Sequence, residues 1–179
     1  MQNVRLTVHQ VETALNRALA EYEASSDADS KEFFLLKVQT LIFYYDVMAG
    51  MVSIGLNKSK GFAQAVALKS LVHSLYEYDK QMNRTLVPRV IEYASKRKKP
   101  IDASEIKSEK KKCRVQLAKL RSWRSVRDTA TGHYGKDIEL QIDLLKTIDQ
   151  EEVFSVASAF VDYCGFILQL LPHRNHSET

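Results

Sequence analysis

Apolar side chains recur at spacings of three and four residues along nearly the whole chain, and this pattern constrains the fold more than any other feature. Val4, Val8, Val11 and Leu15 follow one another in this way, which places them on one face of a helix. No run of four to eight residues alternates convincingly between apolar and polar side chains, and no Asn-Gly or Asp-Gly pair marks a hairpin. Glycine and proline together supply only nine of the 179 residues. The sequence therefore predicts an all-α protein.

Clusters of turn residues interrupt the helical pattern and mark the ends of the helices. The sequence therefore predicts an up-and-down bundle of four to five helices. Pro88 should kink the third helix or end it one turn earlier, and Asp102 or Ser104 should cap the fourth. We expect a single domain over residues 1–172 and a polar tail over 173–179. The predicted helices are residues 3–24, 31–54, 62–98, the segment from the Asp102 or Ser104 cap to about 129, a short piece at 138–148, and 150–171.

Two of these helices are apolar enough that they could span a membrane instead of forming a buried core. Residues 38–56 and 153–171 each contain one charged side chain, Asp46 and Asp162. Such lengths could cross a bilayer, but an aspartate near the helix centre costs about 2.5–3.5 kcal/mol. We therefore expect two buried helices, one of them a candidate dimer interface, and no membrane. The amino terminus has no apolar run behind a basic start, so we expect a cytoplasmic protein.

Positive charge is concentrated in residues 96–127. This window contains 13 of the 26 Lys and Arg residues but only three of the 22 Asp and Glu residues. It therefore carries a net charge of +10 and the rest of the chain −6, although the whole chain carries only +4. A basic block of this kind attracts polyanions and speeds their encounter. The alternative is an ordinary solvated helix face beside a Lys-rich turn.

A cationic residue and a histidine stand close together where the fourth helix ends. On a regular helix seven residues turn about 700°, so Arg127 should lie within about 20° of Leu120, on the core-facing side. His133 follows six positions later between helix-breaking glycines, which let the chain fold back toward Arg127. The alternative is structural: Arg127 pairs with one of the carboxylates on otherwise apolar faces, and His133 caps the helix. The candidate carboxylates are Asp46, Asp79 and Asp162.

The segment Arg127-Asp128-Thr129-Ala130-Thr131-Gly132-His133 resembles the R-x4–6-H motif of HEPN domains (higher eukaryotes and prokaryotes nucleotide-binding). In that family the motif lies near the end of a long helix in a helical bundle. The resemblance implies a metal-independent endoribonuclease acting on RNA in a toxin or defence context. It also implies a homodimer with a composite site, and an antitoxin or regulatory protein as a further partner.

The resemblance assigns catalytic roles to Arg127, Asp128 and His133. The RNA 2′-OH would attack the adjacent phosphate, and His133 would take or give a proton. Arg127 would hold the phosphate oxygens, while Asp128 would orient His133 or Arg127. The products would carry a 2′,3′-cyclic phosphate.

The basic block would guide the RNA backbone without reading its bases. Trp123, Tyr134 and Tyr93 could either stack on bases or pack in the core. The rival hypothesis is a non-enzymatic regulatory bundle that uses the same face to bind nucleic acid, a nucleotide or an acidic partner. The predicted nucleic-acid-binding residues are Lys110, Lys111, Lys112, Arg114, Arg121, Arg124 and Tyr134.

The sequence contains no signature of a cofactor or metal site, and we expect neither. It has no glycine-rich phosphate loop. Its two cysteines are too few for a disulfide scaffold or a four-thiolate zinc site. His173 and His176 resemble a metal-binding pair, but they stand in the predicted tail without a set of carboxylate partners.

Overall fold

The part of the chain that the structure describes is almost entirely helical. The structure, a computed structural model, describes residues 6–97, 101–131 and 137–171, and these ranges contain no strand. The all-α prediction is confirmed. The α-helices are α1 Val8–Ala24, α2 Ala28–Asn57, α3 Phe62–Gln81, α4 Val87–Lys96, α5 Ala103–Lys112, α6 Arg114–Ala118, α7 Arg124–Val126, α8 Ile138–Lys146 and α9 Gln150–Leu170. The chain also forms a 3-10 turn at Lys119–Arg121 and two π-helical turns at Met82–Leu86 and Arg127–Thr131.

Side-chain caps fix where several helices begin. Thr7 and Gln10 form a capping box at α1, which satisfies two backbone N–H groups that the helix leaves free. The other capped helices begin after an aspartate whose carboxylate accepts a backbone N–H of the first turn. Asp102 caps α5 in this way, as predicted. The corresponding residues at α2, α8 and α9 are Asp27, Asp137 and Asp149.

The core forms where α9 packs against α2 and α3. Phe160, Tyr163 and Cys164 of α9 are buried there. Burial raises the pKa of the Cys164 thiol well above its usual range, because a thiolate would lose its hydration. Cys164 and Cys113 are both free and buried, so they act as small apolar side chains in the core.

Part of α2 is exposed, whereas the sequence predicted that this helix is mostly buried. One cause is length: α1 packs along α2 and is about 25 Å long, against about 45 Å for α2. Beyond the reach of α1, Val52 and Leu56 are exposed. Phe62 and Val66 at the start of α3 are exposed as well, so apolar side chains flank both sides of the α2–α3 turn.

Among the described residues, α2 and α9 are long and apolar enough to cross a membrane by length and composition alone. The core helix of a soluble protein can have the same length and composition. In the most apolar stretch of each helix, a third of α2 and half of α9 are buried inside the structure.

The predicted third helix continues through Pro88 and does not end before it. The first π-helical turn, Met82–Leu86, joins α3 to α4, and Pro88 lies in the first turn of α4. Proline lacks an N–H group and clashes with the carbonyl four residues earlier, which here belongs to Arg84. A wider π-helical turn at that point accommodates both effects, so the helical path continues with a local change in winding.

The predicted fourth helix is wrong as a single element. It breaks at Cys113, at the 3-10 turn Lys119–Arg121 and before α7. The buried side of this arm therefore continues from Leu120 through Trp123 and Val126. Arg127 lies at the edge of the core with a half-exposed side chain, and does not continue the Leu120 side as the regular-helix argument predicted.

Candidate functional site

A basic cleft of about 960 Å³ runs between two walls of the structure. One wall is the end of α3 with the first π-helical turn, and the other is the arm from α5 to the second π-helical turn. Nine of the lining side chains are basic, whereas only Asp79 and Asp128 are acidic. The basic lining residues are Lys80, Arg84, Lys107, Lys110, Lys111, Arg114, Arg121, Arg124 and Arg127.

Both π-helical turns contribute residues to the cleft. The first turn supplies Asn83 and Arg84, and the second supplies Arg127 and Asp128. π-Helical turns are rare and occur frequently at functional sites, because the extra residue in the turn redirects the neighbouring side chains. Their coincidence with the cleft marks it as the candidate functional site.

Arg127 is held in place by groups from both walls. Its Nε donates to Oε1 of Glu77 on α3 at 2.8 Å, and Nη2 donates to the same oxygen. Nη1 donates to Oδ1 of Asp128 at 2.5 Å. The guanidinium also lies over the ring of Tyr76, with its carbon 5.4 Å from the ring centroid. These contacts fix the orientation of the guanidinium at the edge of the cleft.

The same contacts shift the protonation equilibria in opposite directions. The hydrogen bond to Asp128, followed by the one to Glu77, raises the pKa of Arg127. The hydrogen bond from Arg127 lowers the pKa of the Asp128 carboxyl group. Arg124 reaches the other carboxylate oxygen of Asp128, with Nε 3.4 Å from Oδ2. Asp128 is therefore a charged bridge between two arginines at neutral pH.

A second polar chain ties the two walls together near the first π-helical turn. Lys110 on α5 donates to Oδ1 of Asn83. The amide nitrogen of Asn83 in turn donates to Oδ1 of Asp79 at 2.9 Å. This chain orients the amide of Asn83 and holds the Lys110 ammonium within the cleft.

Most of the predicted site residues lie together in the cleft. Arg127 and Asp128 line it, as do Lys110, Lys111, Arg114, Arg121 and Arg124. Lys112 is not among the lining residues and pairs with Glu109, with Nζ 2.5 Å from Oε2. His133 and Tyr134 lie outside the described residues.

Two aromatic residues that could have stacked on bases belong to the core instead. Trp123 is 3% exposed and Tyr93 is 2% exposed. Neither ring can reach a ligand in the cleft, so the packing alternative is confirmed for both residues.

Sequence reasoning missed the contribution of α3 and the first π-helical turn. Glu77, Lys80 and Arg84 come from that wall, and they lie outside the basic window on which the prediction rested. A usable signal was present, since Tyr76, Lys80 and Arg84 recur every four residues and four-residue neighbours share a helix face.

Among the described residues, no group of three or more His, Cys, Asp or Glu side chains is placed to hold a metal ion. His173 and His176 lie outside the described residues. Comparisons with protein-family models, curated protein sequences and solved structures find no match to this chain.

Proposed function

We propose that this chain binds RNA along the basic cleft. The observation that carries the proposal is the lining, with nine cationic side chains against two carboxylates. Such side chains neutralise backbone phosphates and release condensed counterions, so they bind a polynucleotide without reading its bases. RNA is the ligand we favour because Arg127 and Asp128, which belong to the HEPN-like motif, lie in this cleft.

Charge reversal on the arm tests this proposal. We expect Lys111→Glu with Arg114→Glu to weaken binding of a short labelled RNA at least about tenfold, because two phosphate contacts are lost and two repulsions are added. The measurement is fluorescence anisotropy over a series of salt concentrations. Wild-type affinity should fall steeply as salt rises.

The matched control is Lys58→Glu with Lys60→Glu. These two lysines are exposed in the α2–α3 turn and do not line the cleft. The control changes the net charge by the same amount, so it should lower affinity much less. Equal losses in both double variants, or binding that ignores salt, would contradict a cleft-bound RNA.

RNA cleavage is a second candidate function, favoured by the place of Arg127 at the cleft edge. In this mechanism O2′ of the RNA attacks phosphorus, the P–O5′ bond breaks, and a 2′,3′-cyclic phosphate forms. His133 accepts the 2′-OH proton and a proton is returned to the leaving 5′ oxygen. Arg127, oriented by Glu77 and Asp128, stabilises the charge on the phosphate oxygens.

Cleavage of labelled RNA in EDTA distinguishes the two functions. His133→Ala should lower the cleavage rate by about 10²–10⁴-fold, the usual contribution of a general acid or base, and should leave RNA binding and the melting temperature unchanged. Arg127→Ala should also lower the rate. Equal cleavage by wild type and His133→Ala would assign the activity elsewhere, and binding without cleavage would leave the regulatory bundle as the function.

A HEPN-like bundle and a homodimer are part of the same proposal. The all-α fold supports the HEPN-like bundle. RNA binding in the cleft depends on neither.

A further inference from the structure

The nine cations of the basic cleft fall into two groups that differ in their partners. Three of them form ion pairs with Glu77 or Asp128, and we call these the paired set. The other six form no ion pair with any carboxylate that the structure describes, and we call these the anchor set. The paired set is Lys80, Arg124 and Arg127. The anchor set is Arg84, Lys107, Lys110, Lys111, Arg114 and Arg121.

The paired set is already compensated by two carboxylates. Glu77 pairs with Arg127 and lies 3.8 Å from Nζ of Lys80. Asp128 pairs with Arg127 and Arg124. A phosphate that approaches these cations must compete with both carboxylates and meets their negative charge. Its net gain in binding free energy there is small, because each new contact replaces an existing one.

The anchor set is arranged as a continuous surface. Lys107, Lys110 and Lys111 recur at spacings of three and four residues on α5, so they share one side of that helix. Arg114, which begins α6, lines the same cleft. The hydrogen bond from Lys110 to Asn83 brings that side against the first π-helical turn, which carries Arg84. No carboxylate of the described residues competes for these cations within ion-pair distance, so phosphates bound here displace mainly water and salt ions, and at Lys110 the hydrogen bond to Asn83. The release of those ions favours binding.

We propose that the anchor set supplies the affinity for a phosphodiester chain, whereas the paired set holds Arg127 in position and adds little affinity. This inference rests on the proposed function and deepens it. The ligand it requires is a single-stranded RNA backbone with several successive phosphates, since the anchor cations come from four separate elements. A mononucleotide occupies too few of them to bind tightly.

The dependence of affinity on salt measures how many cations contact phosphate. For a single strand the slope of log K against log salt is about −0.7 per contact. Six anchor contacts therefore predict a slope of about −4, whereas nine equivalent contacts predict about −6. The probe is a short labelled single-stranded RNA, measured with the full chain.

Two triple variants with equal charge change separate the groups. Lys107→Gln, Lys111→Gln and Arg114→Gln together should reduce the magnitude of the slope to about 2. Lys80→Gln, Arg124→Gln and Arg127→Gln together should leave it within about one unit of the wild-type value. Both are compared by thermal melting, so that binding is measured on folded protein.

Glu77→Gln adds a test that a loss of structure cannot mimic. Removing this carboxylate releases Lys80 and Arg127 to contact phosphate, so RNA affinity should rise severalfold and the slope should become steeper. Equal loss of slope in both triple variants, or weaker binding by Glu77→Gln at an unchanged melting temperature, would overturn the division. UMP binding as tight as the RNA would overturn it too. Failure of the proposed function looks different, because no variant would then bind RNA in a salt-dependent way.

Discussion

Tyr78 is a residue whose ionisation depends on the fold through both burial and a hydrogen bond. Its hydroxyl group donates to Oδ2 of Asp46 at 2.6 Å, and its ring stacks on Phe43 with centroids 4.5 Å apart. Burial and then the hydrogen bond to Asp46 raise the pKa of Tyr78 to about 12. Both effects favour the neutral phenol, because a phenolate there would be poorly hydrated and would face a carboxylate.

This shift predicts an alkaline loss of stability. In the unfolded chain tyrosine ionises from about pH 10, while folded Tyr78 stays neutral until about pH 12. Its contribution is therefore complete below pH 10 and is lost as the pH rises toward 12. Between those pH values the free energy of unfolding should fall in both proteins. Because the ring is partly exposed, we expect the fall to be smaller in Tyr78→Phe than in wild type by on the order of 1 kcal/mol.

Urea unfolding at pH 9 and near pH 12 measures that difference. Tyr163, whose pKa burial also raises, is present in both proteins and cancels from the comparison. Parallel stability curves for wild type and Tyr78→Phe would show that the hydroxyl group of Tyr78 is not protected by the fold.

At the scale of elements, the arm from α5 to the second π-helical turn explains why the cleft is basic. Leu117, Leu120, Trp123 and Val126 recur every three residues and are buried. Each of the last three is followed directly by an arginine, so the arginines also recur every three residues. They are Arg121, Arg124 and Arg127. Within this stretch, Lys119–Arg121 forms a 3-10 turn, which has a period of three residues. The arm therefore places an apolar edge in the core and a cationic edge in the cleft.

Removing the largest apolar side chain of the arm should separate stability from binding. We expect Trp123→Ala to lower the free energy of unfolding by about 3–5 kcal/mol, the usual cost of deleting a buried aromatic ring. Trp123→Phe should cost less because most of the volume is retained. Since the indole does not reach the cleft, the RNA affinity of folded Trp123→Phe should equal that of wild type. A large loss of affinity at an unchanged melting temperature would restore the stacking role.

At the scale of the whole molecule, the fold class could be predicted from the sequence, but the points where the helices break or change winding could not. Helical periodicity and the scarcity of glycine and proline were enough for the all-α fold, and the charge count located most of the cleft. The position of Arg127 could not be extrapolated from Leu120, because the arm changes its winding twice between them. The Glu77 contact depends on packing of α3 against the second π-helical turn, which no local pattern in the sequence encodes.

At the same scale, charge is divided between the arm and the rest of the protein. Residues 96–127 carry +10 and the remaining residues −6. This separation gives the protein an electric dipole. A polyanion is therefore attracted to the arm and repelled by the acidic remainder. The charge pattern and the cleft geometry therefore favour the same face for binding.

Trp123 gives this face a built-in optical reporter. It is the only tryptophan of the chain. It is buried, and in sequence it lies between Arg121 and Arg124, which both line the cleft. Indole emission moves to longer wavelength when water reaches the ring. A ligand that occupies a rigid cleft will leave the emission colour unchanged, whereas one that lifts the arm from the core will shift it to the red. Unlabelled protein can thus distinguish docking from rearrangement in a single titration.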